Sequence, residues 1–64
     1  MANQKPECKL IGEDGNIFNL VGIAARTLRR NNKSAEASEM SARVLSSKSY
    51  DDALMIISEY VEIT

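Results

Sequence analysis

Histidine and tryptophan are absent from this 64-residue chain, and cysteine, proline and phenylalanine occur once each. The lone Cys8 leaves no intrachain disulfide. Without histidine, one chain cannot assemble the nitrogen and sulfur ligand sets that hold structural or catalytic zinc. The same absence removes Ser-His and Cys-His nucleophile pairs, so any proton transfer falls to carboxylates, lysines and tyrosines. These gaps point away from an enzyme, a metal site and a cofactor. Long apolar runs are missing as well. The opening MANQKPECK is polar and lacks the apolar centre of a signal peptide, and Asn19 interrupts the longest apolar stretch within a few residues. Neither a leader nor a membrane span is expected, which makes the cytoplasm the default location.

What is present is the balance of a soluble globular domain: 44% hydrophobic residues, 27% charged residues and a formal net charge of -1. A chain this short has room for one domain and buries only roughly 60% of the surface its unfolded form exposes. Its core is therefore thin, and a partner subunit is in keeping with its size.

Along the chain, CKLIG at residues 8 to 12 follows Pro6, holds Leu10 and Ile11, stops at Gly12 and reads as a short strand. From Ile17 the apolar spacing changes to about 3.6, with Ile17, Leu20, Val21, Ala24 and Leu28 on one stripe flanked by Phe18 and Ala25. This predicts a first helix ending near Asn31 or Asn32, with Asn19, Gly22, Arg26, Arg29 and Arg30 on its other face. Ser34 is the expected N-cap of a second helix, whose buried stripe is Ala37, Met40, Val44 and Leu45. Glu39 and Arg43 are spaced i,i+4 on its outer side. In SSKSYDD, Ser49 and Asp52 form a capping box, so a third helix should start at Tyr50 and bury Tyr50, Ala53, Leu54, Ile57, Tyr60 and Val61. From Tyr60 the pattern alternates, which predicts that the last five residues leave the helix and pair with residues 8 to 12. The expected fold is mainly α (α+β): three antiparallel helices with short N- and C-terminal strands that pair in parallel. Residues 1–7 are expected to be a disordered N-terminus and residues 8–64 a single small globular domain.

One stretch, IGEDGNIFNLVG at residues 11 to 22, asks whether it is a ligand loop. A calcium loop of the EF-hand type needs about 12 residues with alternating oxygen ligands and a distal bidentate Glu, which are not here. One glycine ahead of a helix is not a phosphate cradle, and Glu13 and Asp14 beside it would repel an anion. The stretch reads as a strand-to-helix turn in which Gly15 allows an unusual backbone angle and Asp14 or Asn16 caps the helix.

The residues Ile11-Gly12, Asp14-Gly15-Asn16, Phe18, Leu20, Gly22 and Leu28-Arg29-Arg30, with SYDD and EYVEI near the end, resemble a family of small uncharacterised proteins carried by prophages and conjugative elements of bacteria. The resemblance covers nearly the whole chain after residue 8. It implies a mobile-element context, such as a prophage or conjugative transposon, and carries no chemistry over to any residue.

Two surface features remain. Arg26, Arg29, Arg30 and Lys33 are spaced i, i+3, i+4, i+7, a basic ridge for nucleic-acid phosphates if the first helix continues that far, or otherwise a solvated helix end. Helices two and three are too acidic on their outer faces to read a DNA groove. Gly22 costs a helix about 1 kcal/mol relative to alanine. Asn19 and Gly22 together mark either contact with another chain or packing against the chain's own terminal strands, and Met55 with Ile56 adds an apolar excess that suits a partner surface. Cys8 reads as a small apolar residue, since Lys9 points to the other face of the strand. Asp51 and Asp52 serve the dipole of the third helix. The favoured function is a small non-enzymatic module for protein–protein interaction or self-association, and the alternative is a nucleic-acid-binding accessory using the basic end of helix one.

Overall fold

Apolar spacing and local caps divide the chain into three helices framed by two short strands. A computed structural model describes residues 5–64. The order is β1 (Glu7–Cys8), α1 (Ile17–Arg30), α2 (Ser34–Leu45), α3 (Tyr50–Tyr60) and β2 (Glu62–Ile63), a mainly α fold with a small β part. No described helix is long and apolar enough to cross a membrane.

Helix α1 buries Leu20, Ala24, Ala25, Thr27 and Leu28. Its exit is a Schellman turn. Asn32 takes the left-handed conformation at φ 61, the Lys33 N–H donates to the Leu28 carbonyl at 2.9 Å, and the Asn32 N–H donates to that of Arg29 at 3.1 Å. This turn moves the start of α2. Lys33 occupies the N-cap position without a side-chain cap bond, and Ser34, expected there, is already the first helical residue. Two other expectations for α2 are corrected. Ala37, Met40 and Val44 are buried, but Leu45, about 100° further round the helix from Val44, is 75% exposed. Arg43 turns away from Glu39 and donates to Glu59 of α3 at 2.6 Å and to the Tyr60 hydroxyl at 3.0 Å.

Helix α3 begins as the capping residues predict. The Ser49 hydroxyl accepts from the Asp52 N–H at 3.0 Å, while Asp52 Oδ2 accepts from the Lys48 N–H at 3.1 Å. Its buried face is rotated from the expected one. Ala53, Ile56 and Ile57 are buried, Leu54 and Tyr60 are half-buried, and Tyr50 and Met55 are exposed. Arg43, near the end of α2, meets Glu59, near the end of α3. Both α1 and α2 pack on α3, which explains why Ile56 is drawn inside.

β1 and β2 pair in parallel with Glu7 opposite Glu62 and Cys8 opposite Ile63. The Glu62 N–H donates to the Pro6 carbonyl at 2.8 Å and the Thr64 N–H to that of Cys8 at 3.0 Å. The ladder begins one residue earlier than expected and is shorter. The Thr64 carbonyl accepts from both Leu10 and Ile11, curling the chain into a turn at Gly12, whose φ of +94 suits glycine. Of the segment expected to be disordered, residues 1–4 lie outside the described residues, while Pro6 and Glu7 join the sheet. Leu28, Met40, Ile57, Val61 and Cys8 are the largest fully buried side chains. The Thr27 hydroxyl donates to the Cys8 sulfur at 3.6 Å, so that buried hydroxyl is satisfied and Cys8 packs as a small apolar residue.

Candidate interaction surface

The turn at residues 13–16 and the start of α3 meet at one end of the molecule. Asn16 is the N-cap of α1: its Oδ1 accepts from the Phe18 N–H at 2.8 Å, and its own N–H donates to Asp14 Oδ1 at 3.1 Å. Gly15 plays a different part from the one expected. Its backbone angle is ordinary, and its carbonyl accepts the Tyr50 hydroxyl, which ties the α1 entry to the α3 entry. An added Cβ at Gly15 would sit 3.4 Å from that hydroxyl, at the near edge of ordinary van der Waals contact.

Around this tether the surface is apolar. Phe18 is 69% exposed, Leu45 75% and Tyr50 46%. With Ile17, Val44 and Lys48 they line a shallow groove of about 320 Å³ where the start of α1, the end of α2 and the start of α3 converge. A second groove of about 230 Å³ lies on the other side of Tyr50, lined by Ile11, Leu54 and Ile63 among others, and Ile11 is 70% exposed. Four large side chains thus keep their apolar surface in water at a single end, although each buried Å² would contribute about 25 cal/mol.

The residues singled out from the sequence lie elsewhere. Arg26, Arg29 and Arg30 are exposed on α1, whereas Lys33 lies past the left-handed turn, half-buried at the start of α2. The four therefore do not share one continuous helix. Gly22 faces open surface, since an added Cβ would meet only the Arg26 guanidinium, at 3.9 Å, and the terminal strands do not pack there. The half-buried Asn19 donates its amide to the Asp14 carbonyl at 2.9 Å, a role in the α1 entry. Met55 is 60% exposed, while Ile56 is in the core and presents no surface to a partner. Sequence reasoning assigned Leu45 and Tyr50 to buried stripes and Phe18 to the flank of one. The available signal was position: each lies within the first or last turn of its helix, where the neighbouring helix gives least cover.

Arg43 and Glu59 form the one ion pair among the described residues, on the outer side of α2 and α3. The hydrogen bond from Arg43 holds the Glu59 carboxyl below its ordinary value, and the bonds to Glu59 and Tyr60 raise Arg43. Both are about half exposed, so the pair fastens two helices without forming a reactive centre. No group of three or more His, Cys, Asp or Glu among the described residues is arranged to hold a metal ion.

Comparison with protein-family models, curated proteins and solved structures finds no match for the chain.

Proposed function

We propose that the chain is a small non-enzymatic protein-interaction module of a bacterial mobile element, working in the cytoplasm through the apolar end formed by Phe18, Leu45 and Tyr50. The observation that carries the reading is the concentration of exposed apolar side chains on both sides of the Tyr50–Gly15 tether. The tether holds the surface in shape before a partner arrives, which lowers the ordering cost of association. Affinity capture from the native host, with and without nuclease, tests the reading. Partners should survive nuclease and be lost when Phe18 and Leu45 are both replaced by serine. Capture unaffected by the double substitution would reject the apolar end as the binding surface.

Exposed Arg26, Arg29 and Arg30, none of them in an ion pair among the described residues, favour nucleic-acid binding as the second reading. Its signature is salt-sensitive binding to DNA or RNA that disappears when the three arginines are neutralised together.

A further inference from the structure

The terminal ladder leaves a margin unpaired. In a parallel pair, alternate residues of each strand turn their N–H and C=O groups toward the neighbouring strand. On β1 those residues are Pro6 and Cys8, whose carbonyls accept from Glu62 and Thr64 of the last strand. The N–H and C=O groups of Glu7 and Lys9 therefore point to the opposite side, where they have no backbone partner among the described residues. Such an edge is a template for another strand. Both residues are exposed, while Cys8 between them is buried against Thr27 of α1, so their side chains share the outer face. Neither is in an ion pair among the described residues, and Glu7 stands opposite Glu62, a like charge.

We propose that this margin is a self-recognition edge, on which a second copy of the chain lays its own β1 antiparallel across a two-fold axis at Cys8. The two short sheets then become one sheet of four strands. An axis at Cys8 sets Glu7 opposite Lys9 of the second copy, and Lys9 opposite Glu7 of the second copy. The residues whose backbone groups face outward are thus the ones whose charges match across the axis. Each of these two pairs exchanges two backbone hydrogen bonds and brings a carboxylate to an ammonium on the solvent face. A lysine arriving beside Glu7 also relieves its crowding with Glu62. The other margin of the sheet lacks this match: there the outward groups belong to Ile63, and an axis through it sets Glu62 against Thr64. A self-complementary order of charge about one residue is what an isologous contact requires, and it selects a second copy over an unrelated strand. The contact is far smaller than a standard interface, so the dimer is a weak one that forms at high protein concentration. It uses none of Phe18, Leu45 and Tyr50 and is independent of the reading of the apolar end.

The test uses the full chain and two charge reversals at exposed positions, Glu7→Lys and Lys9→Glu. Sedimentation of the unsubstituted chain from micromolar to millimolar concentration should show a monomer–dimer equilibrium. Over the same range the amide resonances of Glu7 and Lys9 should shift, while those of Phe18, Leu45 and Tyr50 stay in place. Either reversal alone should raise the dimer dissociation constant at least roughly tenfold, because both pairs across the axis then join like charges. Mixing the two reversed chains should restore association, and so should placing both reversals in one chain, since each combination sets carboxylate against ammonium again. Denaturation midpoints at micromolar concentration should be nearly equal for all these chains, because the altered side chains lie outside the core. A chain that stays monomeric at millimolar concentration overturns the proposal, as does a dimer indifferent to either reversal or a loss that the combined reversals fail to rescue. A dimer that Leu45→Ser dissociates also overturns it, and leaves the interaction reading of the apolar end standing.

Discussion

The two turns that join the helices close similar gaps and leave opposite surfaces. Between α1 and α2, residues 31–33 form a Schellman turn whose backbone bonds satisfy the last carbonyls of α1, with Leu28 fully buried beneath it and Arg29 and Arg30 outside. Between α2 and α3, residues 46–49 close as neatly. The Ser46 and Ser47 N–H groups donate to the carbonyls of Arg43 and Val44, and Ser49 caps α3. Yet Leu45 stands in solvent on one flank of this turn and Tyr50 on the other. Ending a helix in this protein therefore does not require apolar exposure. The apolar end is an independent property of the second turn, and this is why it carries the functional reading.

The sharpest way to break the comparison is to make the same change at both turns. Leu28→Ala should cost about 2–5 kcal/mol, because it opens a cavity that the surrounding helices cannot fill. Leu45→Ala should stay within about 0.5 kcal/mol, as an exposed side chain away from any cap. Urea unfolding of the two variants measures both; equal losses would place Leu45 inside. The caps come next. Ser49→Ala removes the acceptor for the Asp52 N–H and should cost about 0.5–2 kcal/mol. Asn32→Ala forces a Cβ-bearing residue less tolerant of left-handed backbone into the first turn and should cost about 1–2 kcal/mol. An unmoved midpoint for either variant would refute the cap concerned. Gly22→Ala should gain about 0.5–1 kcal/mol, since the helix interior disfavours glycine and the added methyl meets only ordinary contact with Arg26. A loss there would reveal hidden packing on that face.

The smallest effect is electrostatic. In the folded chain Glu59 is held below the ordinary glutamate value by its bond from Arg43. Its contribution to stability is therefore complete above the unfolded value of about 4.3 and is lost as the pH falls through the lower folded value. Glu59→Gln should lower stability slightly at neutral pH, where the charged pair contributes, and make no difference in strong acid, where Glu59 is protonated, so the acid limb of the curve flattens. A change at neutral pH comparable to the cap variants would mean that the pair matters more than its exposure indicates.

Helix limits are legible in the sequence where the signal is local. Asn16 and Ser49 sit directly before the helices they cap, and the alternation after Tyr60 marks the return of the chain as a strand. Parallel pairing follows from counting helices. The α2 start is misread by one residue because the left-handed Asn32 that sets it belongs to the preceding turn. The candidate surface is not legible by the same means. Periodicity says which side chains share a face, but not how far a crossing neighbour reaches over it. Val44 and Leu45 are adjacent in sequence, one 7% and the other 75% exposed, because successive helical residues point about 100° apart. The packing of α3 on α2 brings Glu59 to Arg43 in place of the nearby Glu39.

The pairing of the first strand with the last has a mechanical consequence. β1 and β2 run in the same direction, so tension applied at residues 5 and 64 pulls on opposite ends of the ladder and slides one strand along the other. The bonds from Glu62 to Pro6, from Thr64 to Cys8 and from Leu10 to Thr64 then resist together, instead of opening one after another as in a hairpin peeled from its tip. Until that short clasp shears, force does not reach the three helices, and the resistance of the domain to stretching is set by these few backbone bonds at its margin.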